Sequence, residues 1–499
     1  MPSDTDPLLP YNEPAPEIVG HGFSGKSNHS YQALNNSNVI EVSSNDEDKS
    51  PADRNDAAAS PMKTVMTVLI IIIGFALAIT SLFTSRSSGQ DQAPVVGPPK
   101  TRTTIAARVG RILAETPLID GHNDLAILIR YLNHNNIYDP EFAKPFEEGG
   151  MRFHVDLPRL KEGKVGGTFW SAYVGCPANG SDFSDANYAG AVAATLSQLD
   201  LLRRLMERYE DVFSTATFNS STAAATFKEQ HLLISPFGIE GLHQIGNSFS
   251  NLRLYHSLNV QYATLTHNCH NIFADAALVS DHEGRVIAAA PPLWGGVSDR
   301  GQILVQEMNR LGMIVDLSHV SKDTMLDALG GRTEKWTGSA APVIFSHSSA
   351  YSLCPHPRNV PDDILELVRK SNSLVMVNFS PDFISCTPST SLTGIPDFYP
   401  PNSTLHQVAR HVMYIGDKIG FEHVGFGSDF DGIFETPEGL EDVSKYPDLV
   451  AELLRMGLSD DDAAKVVGGN ILRVAADVSR VAAKMQSEGV LPAEDTIKG

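Results

Sequence analysis

Leu118-Ile119-Asp120-Gly121-His122-Asn123-Asp124-Leu125 is an apolar run that breaks off into a His and an Asp two positions apart. On an extended strand end, residues i and i+2 face the same way, so His122 and Asp124 can grip one ion together. A neutral imidazole nitrogen beside a carboxylate oxygen suits zinc. An isolated His-x-Asp also recurs by accident, as a packed His followed by a helix-capping Asp. The rest of the chain decides between the two, because it repeats the pattern.

Working outward, apolar residues at helical spacing over 104–113 lead into this first strand. Further strand-like runs follow at 167–173, 232–239, 261–266, 313–317, 343–345, 374–379 and 423–426. Amphipathic segments such as 299–311 and 361–370 lie between them. Strands alternating with helices imply βα units and a parallel sheet, and about eight units imply a closed (β/α)8 TIM-like barrel of the metallo-amidohydrolase type. A doubly wound open sheet is the alternative, but no Gly-x-Gly-x-x-Gly or P-loop signature gives it a nucleotide site.

Composition bounds the partners. The 499 residues carry a formal net charge of -21, which argues against a nucleic-acid partner. None of the four Cys forms a Cys-x-x-Cys pair, so a thiolate zinc site is not expected. Four well-spread Cys permit two disulfides in a non-cytosolic setting. Residues 1–61, rich in Ser, Asn, Asp and Pro, read as a disordered, cytosolic tail. Within it Asp4-Thr5-Asp6-Pro7-Leu8-Leu9 has the form of an acidic dileucine sorting signal, or of a chance string. The uncharged run VMTVLIIIIGFALAITSLF at 65–83 is long enough to cross a membrane, which takes about 20 residues. It stands too far from the start for a cleaved signal peptide, so 62–84 reads as a single transmembrane anchor and 85–102 as a stem. Lys63 and Arg86 flank the run and scarcely orient it. The globular domain spans 103–485, and 486–499 reads as a flexible C-terminus.

Catalytic groups of such barrels sit at the carboxyl ends of the strands, and here those ends are rich in chemistry. Beyond His122 and Asp124 they offer Glu240, His267, Ser318-His319, Ser346-His347-Ser348-Ser349 and Asp429-Phe430-Asp431. One such His is more often structural than a ligand. Gathering so many ionisable groups costs several kcal/mol each unless metal or partners compensate.

The runs LIDGHNDL, IEGLH, TLTHNC, VDLSHVS, PVIFSHSSAYSLC, RNVPDDIL, GFGSDFDG, VGGTFWSAYVGC and PEGLEDVSKYPDL resemble the membrane (renal-type) dipeptidase family of zinc peptidases, in family order from about residue 115 to 475. The resemblance implies two zinc ions per chain, one on His122, Asp124 and Glu240, the other on Glu240, His319 and His347, with Glu240 bridging. It implies a hydroxide held between the ions as the nucleophile, leaving Ser346, Ser348 and Ser349 to shape their turn. Asp429 matches the family's acid/base and His267 the residue that meets the substrate carbonyl. Arg358 matches the residue that binds the free α-carboxylate, which suits dipeptides and excludes longer chains. Asp431 is expected to order its loop, and His243 to support the ligands from behind.

The sequence departs from familiar animal members at Ala126-Ile127, at Phe383, where a tyrosine is usual, and at His270-Asn271-Ile272-Phe273. These positions are expected near the substrate pocket. The resemblance pairs Cys176 with Cys269 and Cys354 with Cys386, leaving any homodimer non-covalent. Asn179, Asn219 and Asn402 begin glycosylation sequons, and Asn378 begins another on a predicted strand. Disulfides and sequons together imply a type II single-pass membrane protein with its catalytic domain lumenal or extracellular, in the surface or a vacuole-like membrane. The expected activity is membrane-anchored hydrolysis of dipeptides. The alternatives are a barrel amidohydrolase acting on a cyclic amide or lactam, and a non-catalytic receptor on the same scaffold. The former commonly opens with His-x-His, absent here, and the latter would show a lost ligand.

Overall fold

The computed structural model describes residues 104–496, apart from 216–217, 282–284, 333 and 335. The N-terminal tail with its dileucine string, the apolar run at 65–83 and the stem lie outside the described residues.

The eight strands are β1 (Leu118–Asn123), β2 (Val165–Ser171), β3 (Phe237–Glu240), β4 (Val260–Thr264), β5 (Ile314–Asp316), β6 (Ile344–Phe345), β7 (Leu374–Val377) and β8 (Val424–Phe426). All pair in parallel and in chain order, and β1 closes the barrel against β8, with Asp120 opposite Phe426. Each expected strand is present. The run at 232–239 begins as isolated bridges through Leu233 and Ile234 before β3 proper. Two short antiparallel pairs, Leu278–Ser280 with Val286–Ala289 and Cys386–Thr387 with Asp397–Phe398, stand outside the barrel.

Helix boundaries follow local chemistry. Asp299–Leu311 starts where the Ser298 hydroxyl accepts from Gly301 N–H, and stops at Gly312, whose φ of 87° suits a residue without Cβ. Such helices cover the barrel with apolar faces, while an inner cluster joins Ile119, Phe169, Tyr262, Ile314, Ile344, Leu374 and Met376. The last helix, Asn470–Ser487, adds Ile471, Val474 and Val478 to that cluster. Beyond it, Asp495 accepts from the backbone N–H of Phe249 and Ser250, at 2.9 and 3.0 Å. The segment after 486, expected to be flexible, is thus tied to the barrel by hydrogen bonds.

Both disulfides form, Cys176–Cys269 and Cys354–Cys386, and no free Cys remains among the described residues. The membrane assignment is corrected. Among the described residues no helix is long and apolar enough to cross a membrane. The longest, Asp185–Arg208, carries charges along its length, whereas a span needs about 20 predominantly apolar residues. The type II single-pass location with a lumenal or extracellular domain is therefore withdrawn.

Candidate metal centre

β3 ends at Glu240, and three imidazoles from other strand ends converge on its carboxylate. His319 Nε2 lies 2.8 Å and His347 Nε2 3.3 Å from Glu240 Oε1, while His122 Nε2 is 3.6 Å from Oε2. His122 Nε2 is also 3.1 Å from Asp124 Oδ2. Glu240 and all three histidines are buried.

The far side of each ring has a hydrogen-bond partner. His122 Nδ1 sits 2.7 Å from the Tyr262 hydroxyl, His319 Nδ1 2.9 Å from Asn268 Oδ1, and His347 Nδ1 2.8 Å from Ser346 Oγ. His319 donates Nδ1–H to Asn268 Oδ1 and His347 donates to Ser346 Oγ, whose own proton goes to Asp316, so both Nε2 atoms carry a lone pair directed inward. His319 Nε2 and His347 Nε2 are then 3.0 Å apart with no proton to share, beside a carboxylate oxygen. Asp124 Oδ1 is buried without a hydrogen-bond partner. Lone pairs meeting lone pairs in a buried space repel unless a cation lies among them, so this donor set fits a metal. Without one, protons take its part. Against the pull of burial, Tyr262, Asp124 and Glu240 hold the His122 imidazolium well above its ordinary range. Burial would raise Glu240, but His122 and His319 hold its carboxyl well below the ordinary range.

The other expected residues surround this cluster. One ligand atom each of His122, His347 and Asp429 lies within 4.8 Å of the others, as do those of Glu240, His267 and His319. Asp429 Oδ2 accepts from Asn378 Nδ2 at 3.0 Å. Gly432 faces Asp429 and Asp124 so closely that an added Cβ would overlap both carboxylates. Burial keeps His267 neutral, with its pKa lowered to about 4. Its ring meets Tyr173 at 5.0 Å between centroids, and its Nδ1 lies 3.8 Å from Cys176 Sγ. Arg358 is buried, and burial lowers its pKa to about 10, so it remains a cation. Its guanidinium stacks 5.0 Å over Phe383, Nη2 makes a long 3.4 Å bond to His347 O, and Nε has no partner.

Other expected positions make contacts around the cluster. Asp431 pairs with His154, accepting from its N–H at 2.8 Å. His243 bonds Val174 O at 2.8 Å, and the Cys176–Cys269 sulfurs beside it are joined, so no thiolate site exists there. Ala126, Asn271 and Phe273 are buried, with Asn271 Oδ1 accepting from Phe273 N–H at 2.9 Å. Of the divergent positions, Phe383 meets Arg358 directly.

Several participants were not legible beforehand. Asn378 reads as a sequon, yet it is fully buried and its amide holds Asp429. Asp120, Asp316 and Ser428 read as ordinary strand and turn residues. The available signal was an acidic residue inside an apolar run, in LIDGH and VDLSH. His319 and Asp429 have φ of 66° and 67°, left-handed values that non-glycine residues adopt at a cost, often at functional sites.

The membrane dipeptidase family, peptidase family M19, matches residues 106–489. The chain belongs to this family. Dipeptidase aclJ of Aspergillus oryzae is 42% identical over 388 residues, covering 78% of this chain and 84% of that one. Dipeptidase tcpJ of Claviceps purpurea is 41% identical over 379 residues, covering 76% and 80%. The crystal structure of a metallo peptidase, dipeptidase AC, is similar at a TM-score of 0.59 and 25% identity, covering 73% of this chain and 99% of that one. The protein is thus a hydrolase of dipeptidase type from a metal-dependent family, with groups able to hold ions at the carboxyl end of its barrel.

Proposed function

We propose that this enzyme hydrolyses the peptide bond of free dipeptides at a centre of two zinc ions, with Glu240 as the shared ligand. The observation that carries the reading is the convergence of three inward-facing Nε2 atoms on one buried carboxylate. His122 and Asp124 complete one set of donors, His319 and His347 the other. When bound, the ions lower the pKa of water and offset negative charge developing on the substrate carbonyl.

The chain's own groups do the rest. Buried and cationic, with an unpartnered Nε, Arg358 takes the free α-carboxylate of the substrate. A longer peptide carries no carboxylate at that distance from the scissile bond. Neutral His267 donates a hydrogen bond to the developing oxyanion. Asp429, oriented by Asn378, accepts a proton from the attacking water and returns it to the leaving amine.

The test is zinc content together with hydrolysis of a small panel of L,L- and L,D-dipeptides, with and without chelator. Two zinc ions per chain, chelator-sensitive hydrolysis and no action on the matching amides are expected. Folded protein that carries no zinc after preparation with excess zinc would refute the reading.

A further inference from the structure

Two buried carboxylates stand outside the ion-binding set, and they are built alike. Asp120 lies on β1, which neighbours β8. Asp316 ends β5, which neighbours β6. In each, Oδ1 accepts from the N–H two residues further on, His122 at 3.2 Å and Ser318 at 3.1 Å. The same oxygen accepts the N–H of a serine just past the neighbouring strand, Ser428 or Ser346, at 2.8 Å in both. The Oδ2 atom accepts that serine's hydroxyl, at 2.6 Å for Ser428 and 2.7 Å for Ser346. A second hydroxyl completes each set: Tyr446 on Asp120 at 2.7 Å, Thr264 on Asp316 at 2.5 Å. Four donors per carboxylate offset the cost of burying a charge that has no ion-pair partner among the described residues.

The two arrangements differ in where the serine reaches next. Having given its proton to Asp316, Ser346 Oγ accepts from His347 Nδ1 at 2.8 Å. That leaves the His347 Nε2 lone pair facing Glu240. Ser428 Oγ, having given its proton to Asp120, accepts from Phe430 N–H at 3.0 Å. Asp429, between those residues, donates its own N–H to His122 O at 3.2 Å and keeps its left-handed backbone.

We propose that Asp316–Ser346 and Asp120–Ser428 are two positioning clamps of one design serving different steps. The first fixes the ligating nitrogen of His347; the second fixes Asp429 for proton transfer. This rests on the zinc and proton-transfer roles proposed above.

The test compares Ser346→Ala with Ser428→Ala in the full chain loaded with zinc. Ser346→Ala is expected to weaken zinc binding by about 10- to 100-fold, measured as release to a chelator, with lost activity returning as zinc is raised. Ser428→Ala is expected to hold zinc within about threefold of the parent while kcat falls by about 10²-fold at similar KM, with a shifted pH profile. Threonine at either position retains the hydroxyl and should recover most of the loss. Asp316→Asn guards against simple misfolding. It keeps the shape but donates to Ser346 Oγ, turning that hydroxyl toward His347 Nδ1 and placing the ring proton on Nε2, so zinc release should accelerate as in Ser346→Ala. Equal zinc release from Ser346→Ala and the parent, or matching profiles for the two serine variants, would overturn the proposal. A parent that binds no zinc would instead overturn the metal reading beneath it.

Discussion

The inner cluster of the barrel and the ring of residues at its carboxyl end come from the same strands, yet they are built on different principles. Within the cluster, Ile119, Phe169, Ile314, Ile344 and Leu374 fill space, and any apolar set of similar volume would do nearly as well. At the ring, each polar group is defined by a named partner: His122 by Tyr262, His319 by Asn268, His347 by Ser346, Asp429 by Asn378. Tyr262 belongs to both, its ring in the apolar cluster and its hydroxyl on His122. Stability is therefore spread over many replaceable contacts. The candidate site rests instead on a few contacts between specific partners.

Substitutions should separate the two layers, beginning with the largest effect. Glu240→Ala removes the oxygen atoms on which three imidazoles converge, so activity should fall to background and zinc be lost. A variant retaining two zinc ions per chain in elemental analysis would break the bridging assignment. Asp429→Asn should keep both ions while kcat falls by about 10²- to 10⁴-fold, and near-normal turnover would remove it from proton transfer. Arg358→Ala should raise KM for free dipeptides by about 10- to 100-fold, since a charge-assisted contact is worth about 1.5–3 kcal/mol. An unchanged KM would leave the carboxylate without its clamp.

Ile344→Ala tests the other layer. It should lower unfolding stability by about 2–5 kcal/mol in denaturant titration, with activity per folded molecule preserved. A large drop in kcat would show that the apolar layer is not merely filler. The smallest effect expected is on acid stability. Burial holds the pKa of His411 down to about 4 and that of His356 to about 3, from an ordinary 6.5. Below pH 6.5 the unfolded chain therefore binds protons that the folded chain refuses, so stability should fall as pH drops toward 4. His411 also accepts from Ala350 N–H at 3.0 Å, which requires a neutral ring. Urea midpoints at pH 7 and pH 5 check this, and His411→Gln should flatten the difference.

The eight strands and the helix Asp299–Leu311 were legible in the sequence because apolar periodicity and capping residues act over a few positions. The ring of His, Asp and Glu was legible for a related reason, since each closes an apolar run. The N-terminal apolar run shows the reach of such reading: it suggested a membrane location that no described helix supports. Asn378 and Asp316 were opaque because their partners lie far along the chain. Asp429 follows Asn378 by 51 positions, and Ser346 follows Asp316 by 30.

The sequence by itself determined which residues end strands and offer side chains able to hold an ion, for periodicity and residue type are local properties. Only the tertiary structure decided which lone pairs face one another and which serine orients which ring. Those depend on closing β1 against β8 and on the register of neighbouring strands, which bring together atoms that no local pattern relates.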